Sequence, residues 1–242
     1  MDVDGEEEDE GEWEDEDGVT HEGTPEGKIE TIGGVECYIA TPTSFGVSLP
    51  NNQLLAGDFA WNGFKMSCGG PRGRTIVPDY LHGDGLPADI MKTPGLLDLL
   101  KWLSTHGTAD TRPLLDSVIV ALKADGVTSF GATGYCFGGR YVFDFPFDGI
   151  VSAASVPSDL EKYVAVVMAP LLINSCENDW QFPLEAQAQA EKIFAGFQGY
   201  KREFFEGCTH GFAVRGDFSD VKVRAGKEGA FKATIAWILQ HM

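Results

Sequence analysis

Thr128-Ser129-Phe130-Gly131-Ala132-Thr133-Gly134-Tyr135-Cys136-Phe137-Gly138-Gly139-Arg140-Tyr141-Val142-Phe143 is the stretch that decides the fold. An apolar-leaning run, Thr128 to Thr133, predicts a strand. Arg140 onward predicts a helix. Between them stands Gly-x-Cys-x-Gly-Gly, a sharp turn with one reactive side chain at its tip. This is the pattern of a nucleophile elbow with Cys in place of the usual Ser. The glycines have a mechanical reason, because a helix starting hard against a strand leaves no room for a Cβ. The same residues are compatible with a glycine-rich turn around an inert buried thiol, since free Cys is among the most buried residue types. What separates the two readings lies elsewhere in the chain.

Downstream, an apolar run from Ala165 to Asn174 predicts a strand buried on both faces, as in a parallel sheet. It leads to Ser175-Cys176-Glu177-Asn178-Asp179. A helix is expected from Pro183 through Phe197 and a strand from Tyr200 to Phe205, which leads to Gly207-Cys208-Thr209-His210-Gly211-Phe212. The last helix, about Gly226 to Gln240, is expected to bury Phe231, Ile235 and Ile238. In parallel sheets the working residues gather beyond the carboxyl ends of strands. Cys136, Asp179 and His210 all fall there, in the order nucleophile, acid, histidine. The chemistry needs these types. A thiol attacks only as thiolate, and a helix N-terminus and an imidazole favour that form. The imidazole in turn needs a carboxylate to fix its tautomer. Phe137 N–H, just past the sulfur, is a candidate oxyanion donor. Taken singly, Asp179 also suits a helix cap and His210 a loop role.

Upstream, Lys28–Ile32 and Val35–Ala40 alternate around Gly33-Gly34, which predicts a hairpin. A helix is expected over Gln53–Ala60, capped by Asn51 or Asn52, and a short strand running into a loop over Thr75–Leu81. Thr93-Pro94 opens a helix with Leu96, Leu99, Leu100 and Leu103 on one face. A further helix follows Asp110, with Leu115, Val118, Ile119 and Leu122 at the same spacing. Ile150–Ala154 is a candidate strand. Strands alternating with helices mean α/β architecture, with a parallel sheet covered on both sides.

The chain has 242 residues, 43% of them hydrophobic, enough for one substantial core. Its net charge is -19, but twelve of the 37 acidic residues fall within residues 1–17, which hold no base. Residues 1–24 are expected to be a disordered acidic tail, and residues 25–242 the folded domain. Either part would be repelled by nucleic acid or an anionic membrane. No apolar run approaches the ~20 residues of a transmembrane helix, and no secretory signal is readable. The five cysteines lack C-x-x-C spacing, which points away from a disulfide framework or zinc site and toward a reducing, cytoplasmic compartment. Cys176 and Cys208 read as packing. Of the other histidines, His82 lies beyond a strand end and is open to a pocket-lining or a plain loop role.

These motifs together resemble the dienelactone hydrolase family, in particular its fungal branch. The resemblance rests on Gly134–Gly139, Glu177-Asn178-Asp179 and Gly207–Ala213, supported by Val77-Pro78-Asp79-Tyr80 and Ala225–Phe231. It implies an α/β-hydrolase fold and hydrolysis of small esters or lactones through an acyl-enzyme. Cys136 would be the nucleophile, His210 the base and Asp179 its orienter. No cofactor and no metal are implied, and the protein is expected as a monomer or homodimer. The departures are specific. Family members carry an apolar strand where Thr41-Pro42-Thr43-Ser44 here runs straight into Phe45-Gly46. One central strand is therefore expected to be missing, while the Phe45 loop that offers a second oxyanion N–H survives. Met66–Arg74 looks inserted, and Ser152–Tyr163 looks short. His82 stands where bacterial members place a substrate-binding arginine, whereas Arg215 matches a basic position. That argues against dienelactone itself as substrate. The alternative is a non-catalytic relative, decayed or shortened in its gene model, acting at most as an interaction protein. A redox-sensing thiol at Cys136 is a third possibility.

Overall fold

The computed structural model describes residues 27–40, 75–85, 99–144, 150–153, 169–215 and 219–241. The acidic tail, the Gln53–Ala60 helix, Phe45 and the Met66–Arg74 insertion lie outside the described residues, as does most of Ser152–Tyr163.

Strands β1 (Gly27–Ile32) and β2 (Val35–Ala40) form the expected hairpin, with β3 (Thr75–Pro78) antiparallel on the other side of β2. Gly33 and Gly34 turn it with φ of 59° and 82°, a conformation that costs glycine nothing. A Cβ on Gly33 would stand 2.3 Å from the Ser117 carbonyl oxygen, so this turn also lies against a helix backbone. Helix α1 is Leu99–Thr105 and α2 is Thr108–Ala124. The expectation that α2 follows Asp110 is corrected slightly: Gly107 is its cap, and Asp110 lies in its first turn, where an acid favours the helix dipole. Val118 and Leu122, one turn apart, are buried against Ile32, Val35, Cys37 and Ile39 of the hairpin.

The second sheet is parallel, in the order β4 (Gly131–Gly134), β5 (Ile150–Ala153), β6 (Leu171–Asn178) and β7 (Tyr200–Thr209). Helices α3 (Phe137–Asp144), α4 (Leu184–Phe194), α5 (Phe212–Arg215) and α6 (Val221–His241) complete the described elements. The six residues from Leu171 to Cys176 are all buried. Leu171 and Ile173 pack with Val142, Phe143, Phe182, Ala190 and Phe194, and Leu172 packs with Trp237 and Ile238 of α6. Sandwiching between helices thus makes β6 apolar on both faces. Phe231, Ile235 and Ile238 are buried as expected.

Several boundaries move. β4 starts at Gly131 rather than Thr128, because its pairing with β5 spans only Gly131–Gly134. β6 starts past Ala169-Pro170, at Leu171, and runs on to Asn178 because β7 continues beside it. β7 reaches Thr209 instead of stopping at Phe205, with a register irregularity between Cys176 and Asn178. Helix α4 ends at Phe194, and α6 begins earlier than expected, at Val221. Among the described residues β3 and β4 are not paired, so the strands form two sheets. The expected loss of a central strand at Thr41–Ser44 lies outside the described residues.

Candidate active site

Gly134 closes β4, and α3 begins at Phe137, leaving only Tyr135 and Cys136 for the reversal. The closeness is measurable. A Cβ on Gly134 would stand 2.4 Å from the Gly138 carbonyl oxygen and 2.7 Å from Val142 Cγ2. Cys136 takes φ of 51°, left-handed backbone that disfavours any side chain. The turn is locked by N–H bonds from Gly138 to the Tyr135 carbonyl (2.9 Å) and from Gly139 to the Cys136 carbonyl (3.1 Å). Phe137, as the first helical residue, has an N–H without an intrahelical acceptor.

Asp179 is the first residue past β6. Its Oδ1 accepts from the N–H groups of Gln181 (2.8 Å) and Phe182 (3.1 Å), an Asx-type turn rather than a cap on α4, whose cap position is Pro183. His210 is the first residue past β7, and its N–H donates to the Asn178 carbonyl at 3.0 Å. Parallel pairing of β6 and β7 therefore sets these two side chains beside each other. His210 Nδ1 is 2.9 Å from Asp179 Oδ1, and its Nε2 is 3.2 Å from the Cys136 sulfur. The structure brings the three residues into one hydrogen-bonded chain.

The electrostatics follow. The hydrogen bond to Asp179, then that to Cys136, push the His210 imidazole up to about 9. Burial favours the neutral form of Asp179, but the hydrogen bond and charge of His210, with the two backbone N–H groups, outweigh it and hold the carboxyl below its ordinary value. The thiols of Cys176 and Cys208 are buried and raised by that burial, Cys176 to about 12. Both pack as expected from the sequence.

Other candidates fall elsewhere. His82 is exposed, with φ of 53°, and lines a cleft with Gly34, Val35, Glu36, Asp79 and Gly83; none of Cys136, Asp179 and His210 is part of that lining. Arg215 ends α5, shortly past His210. His106 is buried and stacked on Trp102, its Nδ1 2.9 Å from the Trp102 carbonyl. Among the described residues no cluster of His, Cys, Asp or Glu is placed to hold a metal ion. No helix among them is long and apolar enough to cross a membrane.

Three residues beside the site were not singled out from sequence. Trp180 is 69% exposed, with its ring 5.8 Å from that of His210. Its place directly after Asp179 was a usable signal. Tyr80 lies over Gly138. Buried Gln187 donates to the carbonyls of Cys176 (2.8 Å) and Phe182 (2.9 Å), pinning both ends of the Asp179 turn. No local pattern marks Gln187, and Tyr80 stood out only within Val77-Pro78-Asp79-Tyr80, with no role in the site.

The dienelactone hydrolase family model matches residues 40–242. The chain belongs to the dienelactone hydrolase family. It is 28% identical to hydrolase pyvD of Aspergillus violaceofuscus, over 93% of this chain and 94% of that one. It is 29% identical to hydrolase tropI of Talaromyces stipitatus, again over 93% and 94%. With dienlactone hydrolase 1 of Gibberella moniliformis it shares 28% over 91% and 90%. Among solved structures, a dienelactone hydrolase candidate from Klebsiella pneumoniae superposes with a TM-score of 0.64 at 15% identity, over 88% of this chain and 98% of that one. A CIB-like hydrolase candidate from Thermoplasma acidophilum gives 0.54 at 14%, over 88% and 97%. These structural likenesses establish the α/β-hydrolase-like fold. Membership of the dienelactone hydrolase family makes the chain a hydrolase with a small-molecule substrate.

Proposed function

We propose that this hydrolase cleaves small esters or lactones with Cys136 as nucleophile, His210 as base and Asp179 as the group that orients it. The carrying observation is the unbroken chain from Asp179 Oδ1 through both His210 nitrogens to the Cys136 sulfur. With the thiol's proton already held on the raised His210 imidazole, the sulfur adds as thiolate to the carbonyl carbon. The carbonyl π pair moves onto oxygen, which meets the Phe137 N–H. Collapse breaks the C–O bond, and the leaving oxygen takes the proton from His210. The product of this half-reaction is a thioester on Cys136, with the alcohol released or, for a lactone, still tethered. Water, deprotonated by His210, then adds to the thioester, and the C–S bond breaks to give the acid. Asp179 stays ionised throughout and holds Nδ1 protonated.

The test is a panel of short esters and lactones with wild type, Cys136→Ala and His210→Ala. The expected outcome is loss of at least about a thousandfold in kcat/KM for each variant. Hydrolysis that survives both substitutions removes the assignment. The polar Thr41-Pro42-Thr43-Ser44, where relatives carry an apolar strand, favours a second reading, a relative that does not turn over substrate. A folded wild type silent across the panel would support that one.

A further inference from the structure

Tyr80 stands just past the end of β3, where the antiparallel sheet meets the elbow. Its hydroxyl oxygen is 3.6 Å from the position a Cβ on Gly138 would occupy, so it lies against the first turn of α3. Its ring is tilted on Tyr141, centroids 5.1 Å apart at 56°, and the Tyr141 hydroxyl accepts a hydrogen bond from Thr111 of α2. Two helices thus fix the direction of the phenol. Burial and the neighbouring Tyr141 raise its ionisation well above the ordinary phenol value, and charge on Cys136 raises it further. Tyr80 therefore stays a neutral donor over the whole working range, near the sulfur on which charge appears. Among the described residues its hydroxyl has no hydrogen-bond partner. Acyl transfer needs donors where oxygen becomes negative, and among the described residues the Phe137 N–H is the backbone candidate, the Phe45 N–H expected from the sequence lying outside them.

We propose that the Tyr80 hydroxyl is an oxyanion donor of this site. Together with the Phe137 N–H it hydrogen-bonds the oxygen that gains charge when the Cys136 sulfur adds to an ester or lactone carbonyl. This rests on the Cys136 nucleophile reading. No proton leaves Tyr80. The hydroxyl only donates a hydrogen bond, one stronger in the transition state than to the neutral substrate.

Tyr80→Phe removes the hydroxyl and keeps the ring on Tyr141. The expected kinetic result is a kcat lowered by about 10–100-fold with KM within about twofold. Two further measurements separate this from a structural role. Alkylation of Cys136 by iodoacetamide displaces iodide and forms no oxyanion, so its rate should be the same in Tyr80→Phe and wild type. Butanal adds reversibly: the S–C bond forms and the carbonyl pair moves to oxygen. Its affinity should fall at least about tenfold in the variant. Unchanged kcat, or alkylation slowed as much as hydrolysis, overturns the proposal. Should the ester panel be silent in wild type, the aldehyde decides alone. Equal affinity, or none in either protein, overturns it, and selective weakening supports it. Failure of the nucleophile reading shows separately, as hydrolysis persisting in Cys136→Ala.

Discussion

His210 Nε2 and the Cys136 sulfur lie 3.2 Å apart although 74 residues of chain separate them. The contact joins the end of β7 to the turn after β4, so it exists only when the parallel sheet is assembled. Its energetics are therefore coupled to folding.

The coupling predicts a pH dependence of stability. The imidazole goes from 6.5 unfolded to about 9 folded, through the Asp179 hydrogen bond first and the Cys136 bond second. A raised value means the folded protein binds the proton more tightly. The stabilisation is complete below pH 6.5 and is lost as pH rises through about 9. Urea melts at pH 6, 7.5 and 9 should show falling stability in wild type and a flatter profile in His210→Gln. Parallel profiles would contradict the assignment of that proton to His210.

The elbow holds backbone strain at Cys136. Cys136 sits at φ of 51°, which costs a side-chain-bearing residue about 1–2 kcal/mol. Cys136→Gly and Cys136→Ala lose the same bond to His210, but only Gly relieves the backbone. Gly should be the more stable of the two by on the order of 1 kcal/mol in denaturant melts. Equal midpoints would mean that no strain is held there.

Gly134 admits no substitute. Added as Ala, its Cβ would meet the Gly138 carbonyl oxygen at 2.4 Å and its carbon at 2.6 Å, both rigid backbone. Gly134→Ala should lose about 1–3 kcal/mol or more and slow iodoacetamide labelling of Cys136. A variant as stable and as reactive as wild type would show that the strand and helix are not in contact there.

Gln187 holds the acid in place from behind. Its amide donates to the Cys176 and Phe182 carbonyls, and its Oε1 accepts from Arg202 at 3.0 Å. Gln187→Leu leaves these buried groups without that partner, at a cost on the order of 1–3 kcal/mol. Because the Asp179 turn spans these anchors, hydrolysis should also fall. Its measure is the ester panel beside a urea melt, and a neutral result in both would remove the anchoring role.

Legibility followed the range of the forces involved. The hairpin, the elbow and the order of Cys136, Asp179 and His210 could be read from residues, because turns and periodicity depend on near neighbours. The lengths of β4, β6 and β7 could not. β4 stops where β5 stops, and β7 continues to Thr209 because β6 runs beside it. A strand ends where its partner ends, and the partner is remote in sequence. Gln187 was missed for the same cause, since nothing local distinguishes a buried glutamine in a helix, and the Val77-Pro78-Asp79-Tyr80 motif did not reveal that Tyr80 lies over Gly138.

By itself, then, the sequence determined that a cysteine stands on a tight strand-to-helix turn and that an acid and a histidine follow at later strand ends. Only the tertiary structure decided the contacts themselves, Asp179 Oδ1 on His210 Nδ1 and His210 Nε2 on the Cys136 sulfur. Glycine sterics act within a few residues, whereas a hydrogen-bonded chain across three strand ends requires the register of the whole parallel sheet.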